Sequence, residues 1–280
     1  MEIVLAATAA AVWGIGDFCG GRATRRLSPL AVTFAGQTIS LAPLAIVLMV
    51  LGDPSPGVRD WVWGVVAGLL GFAGITLLYR ALSSGAMTVV APLTGVIAAV
   101  VPMMAGIALG ERPKLLALAG VAAALGGIVL VTGAVGTPHA RTPRPIVAMA
   151  IAAGTFIGLS LVCLDRTSDA SGMWPTMAMR LSSVITIGVV LLAMPKPSGL
   201  SWRTPPKWAL LAGLLDTSAN VLFLIATRMG MLSLVSVIAS LYPASTITLA
   251  MRIDHERITR SQAAGMVLVG VALVLVSLGR

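Results

Sequence analysis

Long apolar runs broken by short charged segments leave this 280-residue chain few ways to fold. A helix crossing the roughly 30 Å hydrocarbon core of a bilayer needs about 20 apolar residues. Taking glycine, proline and charge breaks as loops predicts spans at 3–20, 30–51, 61–81, 86–109, 114–134, 146–165, 173–194, 206–227, 232–252 and 261–278. Only 10% of residues are Asp, Glu, Lys or Arg and 58% are apolar, whereas a soluble domain carries roughly 25% charged residues. With a mean hydropathy of +0.98 the chain cannot cover itself with polar groups, so lipid must be its solvent. The expectation is an all-α membrane protein of ten transmembrane helices, multi-pass in the inner or plasma membrane of the cell. The first span carries Glu2 but no basic residue ahead of its apolar stretch, and a second span follows directly. That pattern favours a retained helix over a cleavable signal peptide.

The chain is also expected to be duplicated. A shift of 145 residues aligns 63–131 with 208–276 without a gap and places AGLL (67–70) on AGLL (212–215). The same shift sets Ala81 on Ala226, Gly85 on Gly230, Glu111-Arg112 on Glu256-Arg257 and Ala119-Gly120 on Ala264-Gly265. Near the starts of the halves a shift of 144 sets Gly14, Cys19 and Arg22 on Gly158, Cys163 and Arg166. Apolar composition alone inflates chance matches, but it does not align Trp, Glu-Arg and Gly landmarks at one offset. The units are then a five-helix repeat at 1–135, a linker at 136–145 (GTPHARTPRP from Gly136), and a second five-helix repeat at 146–280. An odd number of spans per repeat inverts the second relative to the first, an architecture suited to alternating access with a substrate site between the repeats. Loops following odd-numbered spans carry twice the Lys and Arg of the remaining loops and ends. By the positive-inside rule both termini then lie outside the cytoplasm.

Several function classes are disfavoured. A net charge of +9 would suggest nucleic acid in a soluble protein, but these basic residues sit in short loops beside anionic lipid. RATRR (22–26) accordingly reads as a lipid-phosphate and topology anchor. Cys19 and Cys163 are isolated in apolar stretches, and His139 and His255 lie in separate loops, so neither disulfide, metal site nor catalytic cluster is expected. No GxSxG, HExxH or Walker-type motif occurs, so no enzyme, cofactor or ATP-driven step is expected within this chain.

The motifs resemble those of EamA-type transporters of the drug/metabolite transporter superfamily. The resemblance rests on WGIGDF (13–18), on YRALSSGAMTVVAPLTGVIAAVVPMMAGIALGERP (79–113), and on ANVLFLIATRMGMLSLVSVIASLYPASTITLAMRIDHERIT (219–259). Each of the two longer segments has a small-residue helix, a proline-bearing helix and a Glu-Arg ending. His255 stands where the first repeat has Gly110, a departure that makes the second turn less tight. The resemblance implies a secondary carrier that exports small metabolites, amino acids or drugs. A passive channel or a membrane scaffold is the alternative. The expected partners are a small solute and the bilayer, with no nucleic acid, and the chain acts as a monomer or a homodimer.

Ionisable groups inside spans point to the site, since each costs roughly 2.5–3.5 kcal/mol or more unless satisfied. Asp17, Arg180 and Asp216 lie well inside, and Arg180 matches Gln37 at a shift of 143. Two acids and one base cannot all pair, which leaves a carboxylate for a proton or a cationic solute group. Asp17, Gln37, Arg180, Asp216, Asn220 and Tyr242 are therefore the substrate-binding candidates, with Asp17 and Asp216 the candidates for proton coupling. A buried structural ion pair is the competing reading. Tyr79 reads as an interfacial tyrosine, and Ser240 as an interhelical hydrogen bond. Pro92, Pro102 and Pro243 can kink their helices as hinges or simply as structure. Glu111 and Glu256 end spans 4 and 9, with Asp254 nearby, as gate ion pairs or as charges that fix helix ends.

Overall fold

The computed structural model of the chain describes residues 1–84, 86–108, 115–131, 142–193, 207–229, 239, 242–256 and 258–278. The helices are α1 (Glu2–Ala23), α2 (Pro29–Leu51), α3 (Val58–Leu82), α4 (Met87–Ala108), α5 (Leu115–Val131), α6 (Arg144–Asp165), α7 (Trp174–Ala193), α8 (Lys207–Met229), α9 (Pro243–Ile253) and α10 (Arg260–Leu278). A 3₁₀ turn, Asp169–Ser171, precedes α7. No strand occurs among the described residues. Five of these helices are long and apolar enough to cross a membrane: α1, α2, α3, α7 and the Arg144–Leu164 stretch of α6.

The helix ends follow local chemistry. Ser28 caps α2, its hydroxyl accepting from the Ala31 N–H at 3.2 Å, and Pro29 takes the first helical position, where a missing N–H costs nothing. Gly52 closes the same helix at φ 65°, a conformation that a side chain would strain. The expected start of span 3 at residue 61 moves to Val58, because Arg59 and Asp60 form the first turn of α3 instead of preceding it. Of the expected span 232–252, only Ala239 and the segment from Tyr242 onward lie among the described residues. Pro243 there stands at the first turn of α9. Pro43, by contrast, lies inside α2.

Packing repeats with the sequence. Helix α1 lies against α8 as α3 lies against α6, and α2 lies against α8 as α7 lies against α3. In the first pair Gly16 faces Ala212 and Leu215, and Arg22 reaches Trp208, so α1 and α8 run antiparallel. The two AGLL copies do the same job. Gly213 sits directly against the backbone of Gly36 on α2, while Gly68 sits against the backbone of Met179 on α7. Met179 is the residue matched to Gly36 by the shift that matches Arg180 to Gln37. Small residues let the helix backbones approach where lipid supplies no hydrophobic drive. Helices α5 and α10 pack on each other, with Gly127 against Val269 and the Gly265 carbonyl. The main core joins Phe18, Val32, Leu78, Leu82, Met87 and Leu93 from the first half with Ala150, Ala209 and Ala250 from the second.

Candidate functional site

Helix α2 turns a polar stripe inward. Thr33, Gln37 and Ser40, spaced by one helical turn each, are all buried. Across from it α7 presents Arg180, only 2% exposed, and α8 presents Asp216. The Arg180 guanidinium spans both. Its Nη1 donates to Gln37 Oε1 at 2.6 Å, and its Nη2 forms an ion pair with Asp216 Oδ2. Ser183, one turn beyond Arg180, donates to the same Gln37 oxygen at 3.3 Å. Thr76 on α3 donates to Thr33 at 3.1 Å. Arg180 Nε has no hydrogen-bond partner among the described residues. The insertion cost of this arginine is thus offset by one carboxylate and one amide, with Nε unspent.

A cavity of about 10 Å³ remains between these groups, lined by Thr33, Gln37, Ile75, Tyr79, Arg180 and Asp216. A space that size admits roughly a single water-sized sphere, so α2, α3, α7 and α8 leave no room for a solute between these groups. Tyr79 is a correction to the sequence reading. It is buried, not interfacial, because α3 continues past it to Leu82 and Gly20 of α1 leaves room for its ring.

Asp17 occupies the next layer. It is buried on α1 and makes no hydrogen bond or ion pair among the described residues. On the same helix Gly16 faces the Asp216 backbone, Gly20 faces the Tyr79 ring and Gly14 faces the Tyr242 carbonyl, which sets Asp17 among these residues. Tyr242 comes close through α4, with its hydroxyl 3.1 Å from where a Cβ on Gly95 would stand. The structure therefore gathers Gln37, Arg180 and Asp216 into direct contact and sets Asp17 and Tyr242 beside them. Asn220 spends one amide N–H on the Asp216 carbonyl of its own helix, at 2.6 Å, which leaves the second N–H and the carbonyl oxygen of its side chain.

The hinge and gate candidates separate. Pro92 is buried within an unbroken α4, and Pro243 opens α9. Glu111 and Ser240 lie outside the described residues, as does the side chain of Pro102. Glu256 is specific. Its two carboxylate oxygens accept the N–H groups of Met87 and Thr88, at 3.0 and 2.9 Å, so it caps α4 of the other half. Two residues earlier, Asp254 pairs with Arg22 and, at 2.7 Å, with Arg25. The turn after α9 thereby ties down the C-terminal end of α1 and the N-terminal end of α4. On the opposite face Asp53 accepts the Met173 N–H at 2.9 Å and Asp60 accepts that of Ser168 at 2.9 Å, joining the α2–α3 turn to the α6–α7 turn. Removing the Glu256 carboxylate leaves two N–H donors without their cap, and Glu256→Ala is expected to cost about 1 kcal/mol. A lowered thermal midpoint of the purified protein is the readout. An unchanged midpoint would mean that the cap contributes nothing.

Sequence reasoning missed Thr33, Ser183, Asp53 and Asp60. The first two carried a readable signal, since Thr33 and Ser183 fall one helical turn from Gln37 and Arg180. The two aspartates did not, because they act only through partners more than a hundred residues away.

Comparison with known proteins agrees with the doubled architecture. The family described as "EamA-like transporter family" matches residues 1–133 and again 144–278. Comparison with curated proteins gives no match. A solved structure described as "Crystal structure of protein" has a TM-score of 0.63 at 17% identity, covering 98% of this chain and 96% of its own. That likeness concerns the fold. The two matches together span nearly the whole chain, and this multi-pass membrane protein belongs to the EamA-like transporter family.

Proposed function

We propose that the chain is a secondary carrier that exports small metabolites, amino acids or drugs by alternating access, in the inner or plasma membrane. Two five-helix repeats of opposite orientation, 1–135 and 146–280, exchange conformations about the cluster between them. The observation that carries this reading is the buried guanidinium of Arg180. It is held by one group from each half, Gln37 and Asp216, with Nε unspent and Asp17 unpaired close by among the described residues. An arginine with a spare donor holds an anionic or carbonyl group of a solute, while Asp17 takes its cationic group or a proton. Asp17 and Asp216 then form the coupling pair, and Tyr242 and Asn220 complete the binding wall once the helices part. Pro92 and Pro243 serve as hinges. Glu256 with Asp254 gates one face, and Glu111 is the counterpart at the other by the repeat.

Export rests on the family alone, and outward-facing termini rest on the loop charges. The test is uptake by proteoliposomes. Asp17→Asn removes one charged partner with almost no change in shape, and flux is expected to fall about ten- to hundredfold, the weight of one charge-assisted hydrogen bond. The remaining flux should lose its dependence on the proton gradient. Native flux from a folded Asp17→Asn protein would remove Asp17 from the site. A passive channel would instead give electrogenic flux without saturation, and a scaffold would give no flux.

A further inference from the structure

A larger cavity lies away from the central cluster, where α1 ends and α8 begins. It has a volume of about 520 Å³ and is lined by Arg22, Ala23, Arg25, Arg26, Leu27, Lys207 and Trp208. Its size falls in the range of small-ligand sites, roughly 300–1,000 Å³, but its lining does not, because four of the seven described lining residues are cations. Arg22 and Arg25 share the single carboxylate of Asp254. Arg26 and Lys207 are exposed and have no acidic partner among the described residues. Positive charge therefore exceeds negative charge around the cavity. The α8 helix starts at Lys207 and α1 ends at Ala23, so the positive end of one helix offsets the negative end of the other and the side chains set the field. Trp208 forms one wall, and its ring lies 5.5 Å from the Arg22 guanidinium, which also lies 5.9 Å from the ring of Phe18. A tryptophan beside arginines where spanning helices end is the arrangement of the headgroup layer.

We propose that this cavity binds a phosphate ester, held by Arg26 and Lys207 and flanked by Arg22 and Arg25. Guanidinium groups present paired N–H donors to phosphate oxygens, and the lysine adds a compact charge. Two sources supply that chemistry at this depth: the headgroup of an acidic phospholipid, and a soluble phosphate ester entering from the aqueous side. Either occupant draws on the same arginines as Asp254, so its binding loosens the tie between the turn after α9 and the end of α1.

The test uses the full chain purified in a neutral detergent and native mass spectrometry. Phosphatidylglycerol, phosphatidylcholine and glycerol phosphate are titrated separately. Binding of phosphatidylglycerol well above that of phosphatidylcholine is expected, and the double variant Arg26→Gln/Lys207→Gln should weaken it about thirtyfold. Both residues are exposed, so the variant keeps its fold. Arg59→Gln removes one exposed charge elsewhere and should change nothing. Glycerol phosphate bound with the same dependence on Arg26 and Lys207 makes the source a solute; lipid binding alone makes it the membrane. The proposal fails if neither phosphatidylglycerol nor glycerol phosphate, the two net-anionic phosphate esters, binds above zwitterionic phosphatidylcholine, or if the double variant binds as the native chain does.

Discussion

Arg180→Lys is expected to yield a folded protein that no longer transports. Lysine keeps the positive charge that balances Asp216, so the helices still insert and pack. It loses the planar fork that reaches Gln37 on one side and Asp216 on the other while leaving Nε for a third group. Flux in proteoliposomes should drop by about a hundredfold or more, as for loss of two charge-assisted hydrogen bonds. The thermal midpoint should fall only a few degrees. Arg180→Ala is a different experiment. Truncation strands the partly buried Asp216 carboxylate and leaves Ser183 as the donor to the Gln37 oxygen, which costs about 3–5 kcal/mol, and low yield is expected together with lost flux. The lysine variant separates the two effects: native-like flux from a folded Arg180→Lys protein would reduce Arg180 to a structural ion pair.

Gly213→Ala should be strongly destabilising for a single added methyl group. A Cβ at that position overlaps the carbonyl, Cα and carbonyl carbon of Gly36, all of them backbone atoms that no rotamer change can move. Overpacking of side chains costs about 1–3 kcal/mol, and backbone against backbone should exceed that range. The contact also sets the site, because Gln37 follows Gly36 directly and Asp216 lies one turn beyond Gly213. Pushing α2 from α8 draws both partners away from Arg180, so transport should be lost in whatever protein does fold. Gly270→Ala is the control. Nothing lies within 4 Å of its Cβ position, and replacing a helical glycine there should be neutral or stabilising by up to about 1 kcal/mol. Equal stability of the two variants in thermal unfolding would contradict the packing described.

The legible part of this fold was whatever a bilayer makes expensive. A charge inside an apolar run has to be satisfied, so Asp17, Arg180 and Asp216 stood out, and the fixed offset between Gln37 and Arg180 hinted that the halves meet there. The AGLL copies were visible as a repeat, yet nothing in them says that Gly213 faces Gly36 while Gly68 faces Met179. That pairing comes from how the helices cross. Tyr79 was misplaced for the same reason: one residue before Arg80 it looks like a membrane-interface anchor, and only the gap left by Gly20 takes its ring inside. The role of Glu256 depends on N–H groups at Met87 and Thr88, far away in sequence, and the Glu-Arg repeat shows that a carboxylate recurs without showing what it caps.

Counterflow separates a carrier from a channel and from a scaffold. Proteoliposomes containing the native chain, preloaded with the small-molecule fraction of a cell extract, should accumulate a labelled component of that fraction above its external concentration. The uptake should saturate and stop when the interior is empty of solute. Arg180→Lys and Asp17→Asn proteins, folded by the same thermal criterion, should accumulate none. Flux that never saturates and ignores the internal load, or counterflow that survives both substitutions, would contradict a carrier built on the Arg180 cluster.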